Sequence, residues 1–150
     1  MATDLILAVL HHLAVFSLAG ILAAEFVLVR PGLARERLPG LARLDGLYGG
    51  LAGVVILIGI GRVFFGLKGW EFYVYSDSFW AKMAAFLLVG LLSVPPTLAI
   101  GRWKRAAAAD PSYAVPEGEI RAARRLIHAE IALFALIPVF AAMMARGVGY

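Results

Sequence analysis

Four stretches of this chain are each long and apolar enough to cross a bilayer, and they leave little sequence between them. They run from about Asp4 to Val29, Leu44 to Leu67, Ser78 to Gly101 and Ile120 to Arg146. A helix needs about 20 apolar residues to span roughly 30 Å of hydrocarbon, and backbone polar groups in lipid must be satisfied within the element. The runs do not alternate as barrel strands do, so they read as helices. The fold class is therefore all-α, an integral membrane four-helix bundle, with residues 1–150 forming a single transmembrane domain. Charged residues are 16% of the chain and hydrophobic ones 62%, against about 25% charged in a soluble domain. Any function is expected among the helices or at their ends.

The opening residues Met1-Ala2-Thr3-Asp4 carry no basic side chain, and the apolar run Leu5–Ala24 is long enough to span. The first helix is therefore expected to stay in place and not to be cleaved as a signal peptide. The chain has no cysteine, which excludes disulfides, thiolate chemistry, iron–sulfur clusters and covalent c-type haem attachment.

The net charge of +4 reflects orientation in the membrane rather than nucleic-acid binding, because the basic residues flank apolar runs. The first connection holds Arg30, Arg35, Arg37 and Arg43, and the third holds Arg102, Lys104, Arg105, Arg121, Arg124 and Arg125. Together these are ten of the fourteen basic residues. Both connections lie on one side, so the positive-inside rule places them in the cytoplasm and both termini in the periplasm of a bacterial inner membrane.

The first connection repeats PGLAR at Pro31–Arg35 and Pro39–Arg43, which fits a short helix lying on the headgroups or a local duplication. Asp110-Pro111-Ser112 and Pro116-Glu117-Gly118-Glu119 are turn and helix-start chemistry. The outer connection gathers Trp70, Phe72, Tyr73, Tyr75, Phe79 and Trp80, an interfacial aromatic belt or a lid over an apolar ligand. Helix two carries Gly46, Gly49, Gly50, Gly53, Gly59 and Gly61, with GxxxG spacing at 46/50 and 49/53. Such spacing admits a second backbone or a flat ligand. Pro95-Pro96 and Pro138 are expected to kink helices three and four.

Ionisable residues inside a bilayer are costly, so each is a functional candidate. His11, Arg62 and Lys82 fall near the outer ends of their helices and form one group. Glu25, Asp45, Tyr48, Arg124, Arg125 and His128 gather toward the inner end, with Glu130 deeper. His11 and Glu25 share one helical stripe. His128 and Glu130 stand about 200° apart around their helix, so they cannot both face the interior.

An imidazole beside two outer cations suits haem b, with histidine on the iron and Arg62 and Lys82 at the propionates. Other readings stay open. Adjacent His11 and His12 diverge by about 100° and make a poor metal clamp, with Met143-Met144 as support for copper. Glu25, Glu130 and Lys82 could relay protons. An ion-pair lattice that only holds the bundle together also fits.

The stretches LHHLAVFSLAGILAAEFVLVRPGL, ARLDGLYGG, GRVFFGLKGWEFY, SFWAKMAAFLLVGLLSVPPTL and HAEIALFALIPVFAAMMARG resemble the bacterial domain-of-unknown-function family 2214, four-helix inner-membrane proteins. More distantly, the layout resembles HemJ-type protoporphyrinogen oxidases and CopD-like membrane proteins. The likeness rests on Leu10-His11 with Ala14 and Gly20, on Trp80-Ala81-Lys82, and on Arg124, Arg125 and Glu130. The sequence lacks that type's Asn beside the glutamate and its Trp-Gly in helix one. The resemblance implies haem b binding, with His11 at the Leu-His position as the iron ligand and Lys82 and Glu130 at matching positions, whereas His12 and His128 match no position of that type. His11, Lys82 and Glu130, together with Arg62 and His128, are the candidates around the cofactor. The expected function is a haem b protein with a redox or electron-transfer role, a haem-dependent oxidoreductase being one form of it. Its partners would be the lipid bilayer, a quinone or other redox partner, and a second copy joined through the glycine-lined face. The alternative is a cofactor-free membrane protein with a structural, proton- or solute-transport, or copper-related role.

Overall fold

The computed structural model describes residues 2–66 and 69–148, so the expected end of helix two at Leu67, and Lys68 beyond it, lie outside the described residues. Within them every element is helical, with no strand among the described residues. The elements are α1 (Ala2–Leu28), a 3-10 turn (Arg35–Arg37), α2 (Leu38–Phe65), α3 (Gly69–Val74), α4 (Asp77–Ala109), α5 (Glu117–Phe134) and α6 (Leu136–Ala145). Four segments are long and apolar enough to cross a membrane: α1, the 3-10 turn with α2, α4, and α5 with α6.

The helices close into a ring. α1 packs on α2 and α5, and α4 packs on α2, α5 and α6. α2 and α5 therefore face each other diagonally across the interior. The end carrying the arginine-rich segments is called inner below, and the other outer.

Two helices reach further than the hydrophobic pattern suggests. α2 begins at Leu38 instead of Leu44, and α4 runs to Ala109 instead of Gly101. The second PGLAR copy is thus the first turns of α2, with Pro39 at the helix start, where its missing N–H costs nothing. It is not a separate headgroup helix. α4, at 33 residues, is roughly 50 Å long and projects beyond the hydrocarbon. Arginine, lysine and alanine are good helix formers, so the basic segment after Gly101 continues the rod.

That projection forms a tied collar. Arg35 donates through Nε and Nη2 to the Ala107 carbonyl at 3.1 and 2.7 Å. Arg124 donates to the carbonyls of Phe26 and Val29 at 2.5 and 2.8 Å. Each arginine thus answers unpaired carbonyls at the C-terminus of another helix. Gly32, at φ +76, turns the chain after α1, and its amide reaches Glu117 at 3.0 Å. Trp103 donates to Glu119 at 2.7 Å, beside Arg102 on the same carboxylate. In the connection to α5, the hydroxyl and amide of Ser112 hold the Asp110 carboxyl below the usual carboxylate range.

The tightest packing sits in this half. Val29, Leu38, Leu41, Ile100, Trp103, Ile120 and Ile127 are all at most 1% exposed. The outer end is held by side chains at its rim. Ser76 caps α4 by accepting from the Phe79 amide, Trp80 donates to the Val74 carbonyl, and Ser78 donates to the Val148 carbonyl. Trp70, Tyr75 and Trp80 are exposed around this rim, as an interfacial belt requires.

The two proline sites differ. α4 runs through Pro95-Pro96 without a break. The fourth span divides at Ala135. Pro138 has no N–H for the Phe134 carbonyl and its ring crowds that carbonyl, so the break falls one turn before the proline.

An even number of spans puts both ends of the bundle's chain on one face. Reporters fused to either terminus are expected to give periplasmic signal, by the charge asymmetry. A cytoplasmic signal at both would invert the orientation, and signals on opposite sides would remove a span.

Candidate functional site

The interior carries polar groups at two depths, separated by an apolar layer of Leu18, Leu22, Val55 and Val89. The stripe on α1 runs as its spacing predicts: Leu18, Leu22 and Glu25 are buried, and His11 and Val15 are half-buried against the outer cavity. His12 turns out, and its ring bonds to the Ala8 carbonyl at 2.6 Å.

Two members of the outer group, His11 and Lys82, line a cavity of about 160 Å³ whose walls also include Val15, Gly59, Phe86 and Phe134, while Arg62 lies outside that lining. The His11 ring rests on α2 at Gly59, with room for an ordinary side-chain contact. A Cβ there would sit 3.7 Å from His11 Cε1. Arg62 and Lys82 lie close enough for their charges to bear on the His11 ring. Nδ1 of His11 and Nε of Arg62 are buried without a hydrogen-bond partner among the described residues. Neither Arg62 nor Lys82 forms an ion pair among those residues. Lys82 Nζ stands over the Phe79 ring, 5.4 Å from its centre. Next to this group the Tyr73 hydroxyl is pushed up from the ordinary tyrosine value by burial, with Arg62 pulling it down and the Asp4 carboxylate pushing it up.

The inner group draws on four helices. Tyr48 of α2 donates to Glu130 of α5 across the diagonal of the ring. Thr97 of α4 donates to Asp45 of α2 at 2.7 Å. Glu25 of α1 is 3% exposed and Glu130 is 1% exposed. One Glu25 oxygen has no partner, and the charges of Asp45 and Glu130 bear on it. None of the three carboxyl groups is ion-paired among the described residues, where no set of three or more His, Asp or Glu is arranged to hold a metal ion.

The expected site residues are thus divided. His11, Arg62 and Lys82 come together, whereas Glu130 belongs to the inner carboxyl group. His128 is exposed in a separate cleft, its ring 5.7 Å from that of Phe26. Opposite faces for His128 and Glu130 follow from their spacing of two. Thr97 was not marked by the sequence, because a lone threonine after a diproline carries no signal of its own. Gly46, Gly49, Gly50 and Gly53 face open space, and the glycines that meet α1 are Gly59 and Gly61 within α2 and Gly66 at its end, beside Asp4.

A family model described as predicted membrane protein, DUF2214, matches residues 3–149. The chain belongs to this family. The match spans all four helices, so both polar groups lie inside the DUF2214 region. Among the curated proteins and the solved structures compared, none matches.

Proposed function

We propose that the outer cavity of this DUF2214 protein holds haem b, in an inner-membrane protein with a redox or electron-transfer role. The observation that carries this reading is the unpartnered set: an imidazole nitrogen and a guanidinium nitrogen buried near a lysine, with no ion pair to either cation among the described residues. Buried polar atoms without partners are costly, and lone cations in a membrane more so. A ligand with a metal centre and two carboxylates answers all three. His11 would hold the iron, and Arg62 and Lys82 would meet the propionates. Haem, when bound, supplies one-electron transfer, with a quinone or another carrier as its partner. The cavity's 160 Å³ is below the roughly 300–1,000 Å³ of pockets that enclose drug-sized ligands. Its wall must therefore part, and Met83 with Ile56 and Ile60 supply movable side chains there.

Arg62→Leu and Lys82→Leu test the cations. Each removes a charge-assisted contact, so haem retention should weaken about tenfold per substitution. Unchanged haem content and unchanged thermal stability in both variants would make the outer cations incidental.

The inner group favours a second reading, a proton path. Glu25, Asp45, Tyr48 and Glu130 are buried titratable groups gathered from α1, α2 and α5, none of them ion-paired among the described residues, an arrangement suited to passing protons. In vesicles containing the purified protein and a pH-sensitive dye, an imposed potential would then drive proton entry. Glu130→Gln would abolish it while preserving the contact to Tyr48. Wild-type vesicles that equilibrate no faster than empty ones would remove this reading.

A further inference from the structure

A third polar feature lies on the outside of the bundle. At the inner end a cleft of about 240 Å³ is lined by Phe26 of α1 and by Arg121, Arg124, Arg125 and His128 of α5. Positions 121, 124, 125 and 128 are spaced i, i+3, i+4, i+7, so they form one face of one helix. Like charges on such a face repel.

Among the other arginines of this end, Arg30, Arg37, Arg43 and Arg105 are scattered over separate segments without an acceptor among the described residues, and two are held. Arg35 is held by the Ala107 carbonyl and Arg102 by Glu119. On the α5 face the provision is thin. Arg121 approaches Glu117 only at 3.9 Å, between two exposed side chains, a pair of little value. Arg125 and His128 have no acidic partner among the described residues. Arg124 is fixed by its bonds to the Phe26 and Val29 carbonyls and by stacking 3.9 Å from the centre of the Phe26 ring. One guanidinium is therefore locked in place while two others and an imidazole stand around it, and a bound anion would balance their charge.

We propose that this cleft binds the phosphate of an anionic phospholipid. Guanidinium groups suit a phosphate because they offer paired donors. A free phosphate would need no more than the basic residues. The same faces, however, continue outward as exposed apolar surface, Ala129, Ala132 and Leu136 on the α5–α6 side and Ala23 and Val27 on α1. A headgroup in the cleft leaves its acyl chains along that surface. Basic pockets between helices at a membrane surface are where anionic headgroups are recognised. The inference rests on neither reading of the interior, since the cleft is separate from both polar groups.

The test uses the full chain, stripped of lipid in a neutral detergent and then placed in phosphatidylcholine vesicles with or without phosphatidylglycerol. Lipid that stays with the protein on re-extraction is counted by mass spectrometry. Phosphatidylglycerol should be retained over phosphatidylcholine, and Arg121→Gln with Arg125→Gln should weaken its retention about tenfold or more. Both side chains are exposed, so the fold is expected to survive. Lys104→Gln with Arg105→Gln removes the same charge from α4 at the same end and should leave retention unchanged. Equal loss in the two double variants would overturn the proposal, leaving only general attraction to a basic end. So would equal retention of both lipids by the wild type, or tight binding of inorganic phosphate in detergent without preference for phosphatidylglycerol.

Discussion

His11→Ala is expected to remove the Soret band from protein purified out of haem-replete cells, while His12→Ala and His128→Ala keep it. The three imidazoles occupy different surroundings. His11 borders the outer cavity, with one ring nitrogen buried and unpartnered. His12 faces out of the bundle and is already bonded to the Ala8 carbonyl. His128 lies in the inner cleft against Phe26. An axial ligand is the bond that fixes a non-covalent haem, so its loss should lower haem per protein by an order of magnitude or more, against about tenfold for either cation. Loss in His128→Ala with retention in His11→Ala would move the site to the inner end. A wild-type protein without a Soret band would end the haem reading.

The largest effect on stability is expected at Trp103. Its side chain is fully buried among the inner core residues, and its Nε1 donates to Glu119. Trp103→Ala empties that volume and frees the carboxylate that also holds Arg102, a cost of about 3–5 kcal/mol. Trp103→Phe keeps part of the packing but not the hydrogen bond, and should fall between. Thermal unfolding in detergent, followed by helical circular dichroism, measures both. A Trp103→Ala midpoint equal to the wild type's would show that the collar does not hold the bundle together. Haem content measured below the transition should not change, since Trp103 lies at the far end from His11.

Much of this arrangement is written in local pattern. Apolar runs of spanning length fix the number of helices, and helical spacing puts His11 and Glu25 on one inward stripe. The same spacing sends His128 and Glu130 to opposite faces. Pairings between helices are another matter. Asp45 with Thr97, Tyr48 with Glu130 and Trp103 with Glu119 depend on relative rotation and depth, which no single helix encodes. The glycines of α2 illustrate the limit. Their spacing defines a smooth face, but it does not say which way that face turns, and within one chain Gly46, Gly49, Gly50 and Gly53 turn away from every neighbour. Helix ends were also hidden. A hydrophobic pattern stops where the lipid stops, whereas α4 carries on through its arginines and alanines into water.

The break at Ala135 splits the fourth span between two mechanical units. Below it, α5 is anchored by Arg124 to the end of α1 and by Ile120 and Ile127 to the tight inner core. Above it, α6 has its own short rod, joined at a point where the helical ladder is interrupted. Phe134 and Ile137, which both line the outer cavity, stand on opposite sides of that joint. The cavity wall is thus shared between a rod fixed to the collar and a rod held by its packing on α4, so a substitution that shifts α6 would move Ile137 and leave Phe134 and the inner end in place.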